Sequence, residues 1–407
     1  MTHSVEADGR SASRLRRIEP RSPNEAHRAS TPLELFFDLC FVVAVAQAGA
    51  SLHHALADGH TGRAVLAFPM VFFAIWWAWM NFTWFASAYD NDDVLYRIAV
   101  LVQIAGALIL AAGVPRAFND RDFAVVALGY VVMRVGLVSL WLRAAADHRE
   151  GRGCSIRYSI GVAGCQIGWL VMLTLPDNAQ LLAWVALVPL ELFVPIWAER
   201  RGATSWHPGH IVERYGLFTI IVLGESVLAA SLAVQAALDG GQSLTDLGAV
   251  AGGGLLIVFS MWWIYFDLPA EHVVGNARAG FAEQRRGAFI WGYGHLVVFA
   301  SAAAVGAGIA TAVDRASGHA DLSDAGAALT VTIPVSVYLL SVWLLHVRYK
   351  SPGFLRVAAV PLAVALILGA SLLGEPVLIT GCVMVVLIAV STVGEARAVS
   401  APARQSG

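Results

Sequence analysis

The feature that most constrains this chain is a series of twelve apolar stretches, each close to the length that crosses a bilayer. A transmembrane helix needs about 20 mostly apolar residues. Such stretches lie at 33–56, 64–86, 98–114, 123–142, 158–175, 179–198, 210–236, 247–266, 288–313, 325–346, 355–373 and 376–393. Charged residues make up only 14% of the chain, against about 25% in soluble domains. The sequence therefore predicts an all-α integral membrane protein with about twelve transmembrane helices.

The positions of the basic residues predict how these helices are oriented. If the spans alternate in direction, 21 of the 27 Lys and Arg residues fall on the side of the N-terminus. The opposite side holds Arg63, Arg116, Arg121 and Arg315. Because Lys and Arg accumulate in cytoplasmic loops, we predict that both termini are cytoplasmic. Residues 1–30, which are rich in arginine, and residues 396–407 are interpreted as tails, the first of them disordered.

Several classes of protein are not indicated. The formal net charge of −2 gives no sign of nucleic-acid binding. Its four cysteines include no CxxC pair, so the sequence predicts neither a disulfide framework nor a zinc site. There is no HExxH, GxSxG or Walker A motif. We therefore expect a protein that is not an enzyme, with no cofactor and with the lipid bilayer as its main partner.

The two halves of the chain resemble each other. The double tryptophan Trp76-Trp77 of the second span has a counterpart at 262–263 in the eighth, and Ser139-Leu-Trp141 of the fourth matches Ser341-Val-Trp343 of the tenth. Such matches fall in order along the chain, which is typical of an internal repeat. The sequence predicts a parallel 6+6 duplication, with six-helix repeats at 31–201 and 202–395. Transporters often place their substrate site between such halves.

Ionisable residues inside the spans cost roughly 2.5–3.5 kcal/mol each on insertion scales, so each needs a partner or a function. Glu34 and Asp38 lie one helical turn apart on the first span and share a face. Thr31 and Glu34 also fit a capping box, which gives Glu34 a purely structural alternative. Asp38 lies beyond the first turn, where the helix dipole no longer explains it.

The seventh span carries the largest set of candidates. His210, Glu213 and Arg214 open it, and Glu225 lies in its interior. Arg214 and Glu225 are eleven residues apart, about 16 Å along a helix axis. They are too far apart to neutralise each other, so we expect Glu225 to be protonated or paired with another helix.

Arg134 in the fourth span and Glu191 in the sixth lie at a similar depth, which predicts an ion pair between them. One interpretation is a polar path lined by Asp38, Arg134, Glu191 and Glu225. The alternative is that the buried pair only fixes how the helices pack.

Two further motifs lie near the ends of spans. The segment from His207 through His210 to Glu213 has ligand-type residues at three-residue spacing, but interfacial histidines explain it better than a metal, which needs three or four converging ligands. The second motif comprises Asp90, Asp92, Asp93 and Arg97 at the cytoplasmic edge. It lacks the glycine and distal glutamate of a calcium loop, and Asp92 or Asp93 fits the N-cap of the third span.

These residues resemble those of a known family. The segment Glu34–Phe41 resembles the first-helix signature of the bacterial low temperature requirement protein A (LtrA) family, and His210–Glu225 resembles its second signature. The tryptophan-rich second span with the acidic motif that follows it is similar to the third. Cys40 stands where the family usually has valine. The likeness covers about residues 30–395 and implies a multi-pass protein of the bacterial cytoplasmic (inner) membrane, linked by name to growth in the cold.

The leading hypothesis is a secondary transporter or permease for a small solute, with proton coupling through Glu225 or Asp38. One alternative is an ion channel: Phe37-Asp38 is similar to the Phe-Ser-Asp signature of a potassium-channel family with six-span repeats, although the serine is missing and Gly216-Leu217 stands in the second half. The other alternative is a membrane protein without transport activity, acting in cold or stress adaptation.

Overall fold

Long α-helices account for almost all of the described chain. The computed structural model describes residues 16–21, 29–202, 204–267, 281–346 and 354–400. Within these ranges there are twelve long helices: α1 Pro32–Ala57, α2 Thr61–Ala88, α3 Val94–Asp120, α4 Ala124–Asp147, α5 Arg152–Met172, α6 Asp177–Ala198, α7 Pro208–Asp239, α8 Leu244–Phe266, α9 Phe281–Ala316, α10 Asp324–His346, α11 Phe354–Ala370 and α12 Pro376–Ser400. Two-residue strands β1 Glu19–Pro20 and β2 Tyr89–Asp90 pair antiparallel.

The composition of the helices and their exposed surface identify a membrane protein. Nine helices of the described ranges, α1–α4 and α6–α10, are long and apolar enough to cross a bilayer. Shorter apolar helices cover 358–370 and 376–392, while α5 is less apolar. Large aliphatic side chains point outward on the helices, including Leu182, Leu362 and Val135. Such a surface is stable in lipid and would be unfavourable in water.

Short turns set neighbouring helices antiparallel, and contacts between distant segments fix which ends lie together. The N-termini of α1 and α7 lie side by side, since Ser30 N–H donates to Glu213 Oε1 at 3.0 Å. At the opposite end, the Asp321 N–H donates to the Ala57 carbonyl oxygen at 2.7 Å. The two halves of the chain meet along α1, α2, α7 and α9. Helices α1 and α7 therefore begin at the same end of the bundle.

Helix packing follows nearly the same order in both halves. In the N-terminal half, α3 packs against α1 and α4, α5 against α4, and α6 against α5. In the C-terminal half, α9 packs against α7 and α10, α11 against α10, and α12 against α11. One contact breaks this correspondence, because α8 packs closely against α12, whereas α2 makes no comparable contact with α6.

The tryptophans of α2 form part of the core. Trp76, Trp77 and Trp79 are each at most 1% exposed, so they lie at helix interfaces. Trp262 and Trp263 of α8, in contrast, are about half exposed.

Residues 16–18 of the N-terminal segment contact the ends of α3 and α4; the interpretation of residues 1–30 as a disordered tail stays a prediction. Ile18 is buried, and its N–H donates to Asp147 Oδ2 at 3.0 Å. The Arg16 N–H donates to Asp93 Oδ2 at 3.0 Å. Asp93 at the start of α3 and Asp147 at the end of α4 thus accept hydrogen bonds from the backbone of this segment. Residues 1–15 and 22–28, like most of the C-terminal tail, lie outside the described residues.

Glycines allow two helix crossings to be very close. A Cβ atom on Gly129 of α4 would lie 2.5 Å from the Leu110 backbone nitrogen and 2.6 Å from the Gly106 carbonyl oxygen of α3. In the C-terminal half, a Cβ atom on Gly253 would lie 2.5 Å from the Leu378 backbone nitrogen. Small residues at such crossings are the usual device by which helices associate in lipid.

Gly129→Val should therefore separate α3 from α4 and destabilise the protein by about 1–3 kcal/mol, as overpacking commonly does. The measurement is the apparent melting temperature of the purified protein in detergent. Gly164→Val on α5 is the matched control, because no heavy atom lies within 4 Å of the added Cβ position. Equal melting temperatures for the two variants would contradict this description of the crossing.

Candidate functional site

A cluster of ionisable residues lies between α1 and α7, where the two halves of the chain meet. It consists of Glu34 and Asp38 of α1 and His210 and Arg214 of α7, and we call it the α1–α7 charge cluster. All four side chains are at most 2% exposed. Asp38 and Arg214 each lie six residues beyond the start of their helix, about 9 Å along the axis. Two parallel helices thus bring opposite charges to the same depth.

The central contact is a two-pronged ion pair. Arg214 Nε donates to Asp38 Oδ2 at 2.8 Å, and Arg214 Nη2 donates to Asp38 Oδ1. This geometry matches the planar guanidinium to both carboxylate oxygens, which is the strongest form of such a bond. Arg214 Nη1 also lies 3.7 Å from Glu34 Oε1. The pair joins the N-terminal half directly to the C-terminal half.

Side chains of α2 make further hydrogen bonds to the Asp38–Arg214 pair. Trp79 Nε1 donates to Asp38 Oδ1 at 2.6 Å, and Arg214 Nη2 donates to Thr83 Oγ1 at 3.3 Å. Trp79 also stacks on Phe218 of α7, with ring centroids 4.3 Å apart. Buried charges are tolerated when hydrogen bonds replace their hydration, and here α2 supplies those bonds.

Glu34 both caps the start of α1 and contacts another member of the cluster. Its carboxylate accepts from the Thr31 N–H at 2.7 Å and Thr31 Oγ1 accepts from the Glu34 N–H at 3.3 Å, which confirms the capping box. His210 Nε2 lies 3.4 Å from Glu34 Oε2. The cluster therefore places an imidazole beside a carboxylate.

The predicted pair between Arg134 and Glu191 is present and joins α4 to α6. Arg134 Nη2 donates to Glu191 Oε1 at 2.9 Å, and both side chains are at most 5% exposed. Two indoles also donate to this carboxylate: Trp77 Nε1 to Oε2 at 2.8 Å and Trp169 Nε1 to Oε1 at 3.0 Å. We call this arrangement the α4–α6 ion pair.

The two charged groups are bonded to α2 on different sides. Asp38 is bonded through Trp79 and Glu191 through Trp77. Those tryptophans are two residues apart, and their side chains therefore point about 200° apart around the helix. The polar path lined by Asp38, Arg134, Glu191 and Glu225 stays a prediction.

The other two candidates of α7 lie apart from both groups. Glu225 is partly exposed, and the structure gives it no hydrogen bond or ion pair within the described residues. It lies eleven residues beyond Arg214, near the middle of α7. Glu213 is partly exposed and accepts from the Ser30 N–H at 3.0 Å. Glu213 therefore ties the segment before α1 to α7 rather than joining the charge cluster.

The histidine motif has a structural role. His207 is the N-cap of α7, and its Nδ1 accepts from the His210 N–H at 3.2 Å. Within the described ranges, no three His, Cys, Asp or Glu side chains come together as metal ligands would.

The acidic motif after α2 joins the adjacent ends of α3 and α4 to the N-terminal segment. Asp93 is the N-cap of α3, as expected, and accepts from the Tyr96 N–H at 2.8 Å. It also accepts from Arg143 Nη2 at 2.7 Å. Arg97 binds Asp92 instead, with both contacts exposed. The side chain of Asp90 lies outside the described residues, although its backbone pairs with Glu19.

The electrostatic environment of Asp93 favours its ionised form. Burial acts to raise the pKa of Asp93, but the hydrogen bonds from Arg143, from the Arg16 N–H and from the Tyr96 N–H outweigh it. The pKa of Asp93 therefore lies below its usual value. This carboxylate holds the N-terminal segment, α3 and α4 together.

Sequence reasoning missed the side chains that support the ion pairs. Thr83, Trp79 and Trp169 were not predicted as partners of charged residues, although each donates to or accepts from one. A usable signal exists, because an indole N–H buried in an apolar bundle needs an acceptor. Carboxylates in neighbouring spans are the strongest acceptors available.

Apolar helices that carry lipid-facing aliphatic residues outside and buried ion pairs inside define a multi-pass α-helical membrane protein. The family model for the bacterial low temperature requirement A protein (LtrA) matches residues 29–392. The chain belongs to this family. It is also similar to an uncharacterized protein of Rhizobium meliloti (strain 1021), at 28% identity over 289 residues. The alignment covers 67% of this chain and 66% of the relative, slightly less than two thirds of the relative's length.

Removing one partner of the Asp38–Arg214 pair should destabilise the protein far more than removing both. Asp38→Leu or Arg214→Met alone leaves a buried charge unpaired and should destabilise the protein by about 3–5 kcal/mol. The double variant should recover most of this loss, because an apolar pair of similar volume is often neutral. Apparent melting temperatures of all four proteins in detergent complete the cycle. Additive losses in the double variant would contradict a direct coupling between the two residues.

The contribution of Asp93 should depend on pH. Because its pKa is lower in the folded than in the unfolded protein, its ionised form stabilises the fold above about pH 3.9. This stabilisation is lost as the pH falls through the folded pKa. Asp93→Asn should lower the free energy of unfolding by ~1–2 kcal/mol near pH 7. In melting experiments, the difference in stability from wild type should shrink near pH 3.

Asp92→Asn is the control for this prediction, because the Asp92–Arg97 pair is exposed and such pairs contribute about 0–1 kcal/mol. A loss for Asp93→Asn that stays constant between pH 7 and pH 3 would contradict the electrostatic role.

Proposed function

We propose that this protein is a secondary transporter for a small solute in the bacterial cytoplasmic membrane, and that the α1–α7 charge cluster couples its two halves. The observation that carries the proposal is the Asp38–Arg214 pair, which is buried in an apolar bundle and joins α1 to α7. Ionisable residues inside membrane helices are expensive and are characteristic of substrate paths, ion paths and proton relays.

The order of helix packing supports a duplicated architecture. Helices α1 and α7 begin at the same end, and α3–α6 and α9–α12 pack in the same sequence. This is what a parallel 6+6 repeat, with both termini on one side, would produce. In parallel-repeat transporters the two halves rock against each other around a site at their interface. The contacts that change in such a motion would include the α1–α7 charge cluster.

The cluster lies on one side of the middle of the bundle, which suits a gating role. Asp38 lies about 9 Å from the start of α1, and so about 6 Å short of the middle of a hydrocarbon core of about 30 Å, on the side where α1 and α7 begin. Closure of the Asp38–Arg214 pair would seal the bundle on the side where α1 and α7 begin. Proton exchange at His210, 3.4 Å from Glu34, offers a way to couple that closure to pH.

One observation favours a second function. The Asp38–Arg214 pair is fully buried with hydrogen bonds from Trp79 and to Thr83, and the α4–α6 ion pair is supported by two indoles. Ion pairs so well supported suit a rigid membrane protein without transport activity, which would use them to fix helix packing.

The test is uptake by the purified protein in liposomes across a solute screen, with a pH-sensitive dye inside the vesicles. Wild type should show solute-dependent proton movement or gradient-driven uptake. Asp38→Asn should lower the rate by about tenfold or more, because a shift of ~1.4 kcal/mol between two conformations changes their ratio tenfold.

The double variant Arg134→Gln/Glu191→Gln is the matched control, because it removes the other buried pair, which does not join α1 to α7. It should keep most of the rate if it folds, as judged by size-exclusion chromatography. Absence of flux in wild type throughout the screen would favour the function without transport. Equal flux in Asp38→Asn and wild type would reject the coupling role of the cluster.

A further inference from the structure

Two adjoining cavities form one cleft between α2, α4, α5 and α6, at the end of the bundle where α1 ends and α2 begins. The outer cavity has about 590 Å³ of space and the inner one about 490 Å³, both including their open sides. Met70, Phe123 and Met172 line both cavities, so the two adjoin.

The cleft exists because α6 does not close against α2. At the equivalent place in the C-terminal half, glycines bring α8 and α12 together: a Cβ atom on Gly381 would lie 2.9 Å from the Gly253 carbonyl oxygen. In the N-terminal half, α2 meets α6 through large side chains. Phe73 meets the edge of Trp184 of α6, with ring centroids 5.9 Å apart, and this contact keeps the helices apart at the inner end.

The length and lining of the cleft suit an alkyl chain. From Arg63 at the mouth to Ala74 at the inner end, the wall follows eleven residues of α2, about 16 Å. This is close to half of a hydrocarbon core of about 30 Å, and so to the depth of one leaflet. The inner wall is apolar and aromatic, and Tyr130, whose hydroxyl donates to the Ala74 carbonyl oxygen at 2.7 Å, closes it.

The mouth carries a positive charge at the level where lipid headgroups lie. Arg63, Arg121, Gln180 and Asp177 line it. The two guanidinium groups are exposed and have no ion pair within the described residues. With one carboxylate present, the mouth has a net charge of +1.

The other two arginines at this end of the bundle differ from those of the mouth. Arg116 lies 3.7 Å from Asp122, and Arg315 donates to Asp324 at 2.8 Å. Few basic residues lie at this end, and the two without an ion pair partner among the described residues are both found at one apolar cleft. Charge complementarity thus selects an anionic ligand with a long apolar portion.

We propose that this cleft binds one acyl chain of an anionic phospholipid from the adjacent leaflet, with the phosphate held by Arg63 and Arg121. The second acyl chain stays in the bilayer, because the cleft is open on its lipid side. The proposal is independent of transport. It adds a lipid site near the α4–α6 ion pair, since Trp169 both lines the cleft and donates to Glu191.

The test is native mass spectrometry of the full-length protein in detergent, titrated with phosphatidylglycerol or with phosphatidylcholine of the same acyl chains. Wild type should bind phosphatidylglycerol at least about tenfold more tightly, since each of the two arginines near an anionic lipid headgroup contributes about a fivefold change in affinity. Arg63→Gln/Arg121→Gln should abolish the preference. Ala74→Phe, which fills the inner end, should weaken the binding of both lipids.

Arg116→Gln/Arg315→Gln is the matched control, which removes the same charge from the same end and should keep the preference. Equal binding of the two lipids by wild type, or equal loss in the control variant, would overturn the proposal. Tighter binding of a free fatty acid than of phosphatidylglycerol would overturn the choice of a phospholipid. Should Ala74→Phe fail to fold, the two arginine variants still decide the question.

Discussion

The Asp38–Arg214 ion pair is the interaction on which the arrangement of the two halves depends. In an apolar bundle, both partners of a bidentate ion pair are needed, because an unpaired buried charge destabilises the fold by several kcal/mol. The pair therefore fixes the depth and rotation of α1 relative to α7. Two helices that begin side by side at the same end are held in register by charge at a depth of about 9 Å.

The demands of the buried charges explain why α2 carries tryptophans. A carboxylate in a dry interior needs donors that bring little additional polarity, and an indole N–H on a large apolar ring meets that need. Trp79 serves Asp38 on one side of α2 and Trp77 serves Glu191 on the other. Helix α2 thus lies between two ion pairs and bonds to both.

The sequence predicted an all-α membrane protein because bilayer thickness constrains helix length, and nine helices of the described ranges are long and apolar enough to cross a membrane. All twelve predicted spans correspond to helices in the described residues, and the Thr31–Glu34 capping box, the Asp93 cap and the Arg134–Glu191 pair were predicted from local spacing or depth. The partner of Asp38 was not predicted, because pairing across helices depends on rotation, which a one-dimensional pattern does not contain. The cleft beside α6 was missed for a similar reason: it arises from a contact that α2 and α6 do not make.

The central claim is that the Asp38–Arg214 pair specifically holds α1 against α7. Hydrogen–deuterium exchange of wild type and Asp38→Asn in lipid nanodiscs, followed by peptide mass spectrometry, tests it most directly. Exchange should rise together in the N-terminal parts of α1 and α7, while α4 and α6 keep their wild-type protection. Unchanged protection in α1 and α7, or a uniform rise over all helices, would contradict the claim.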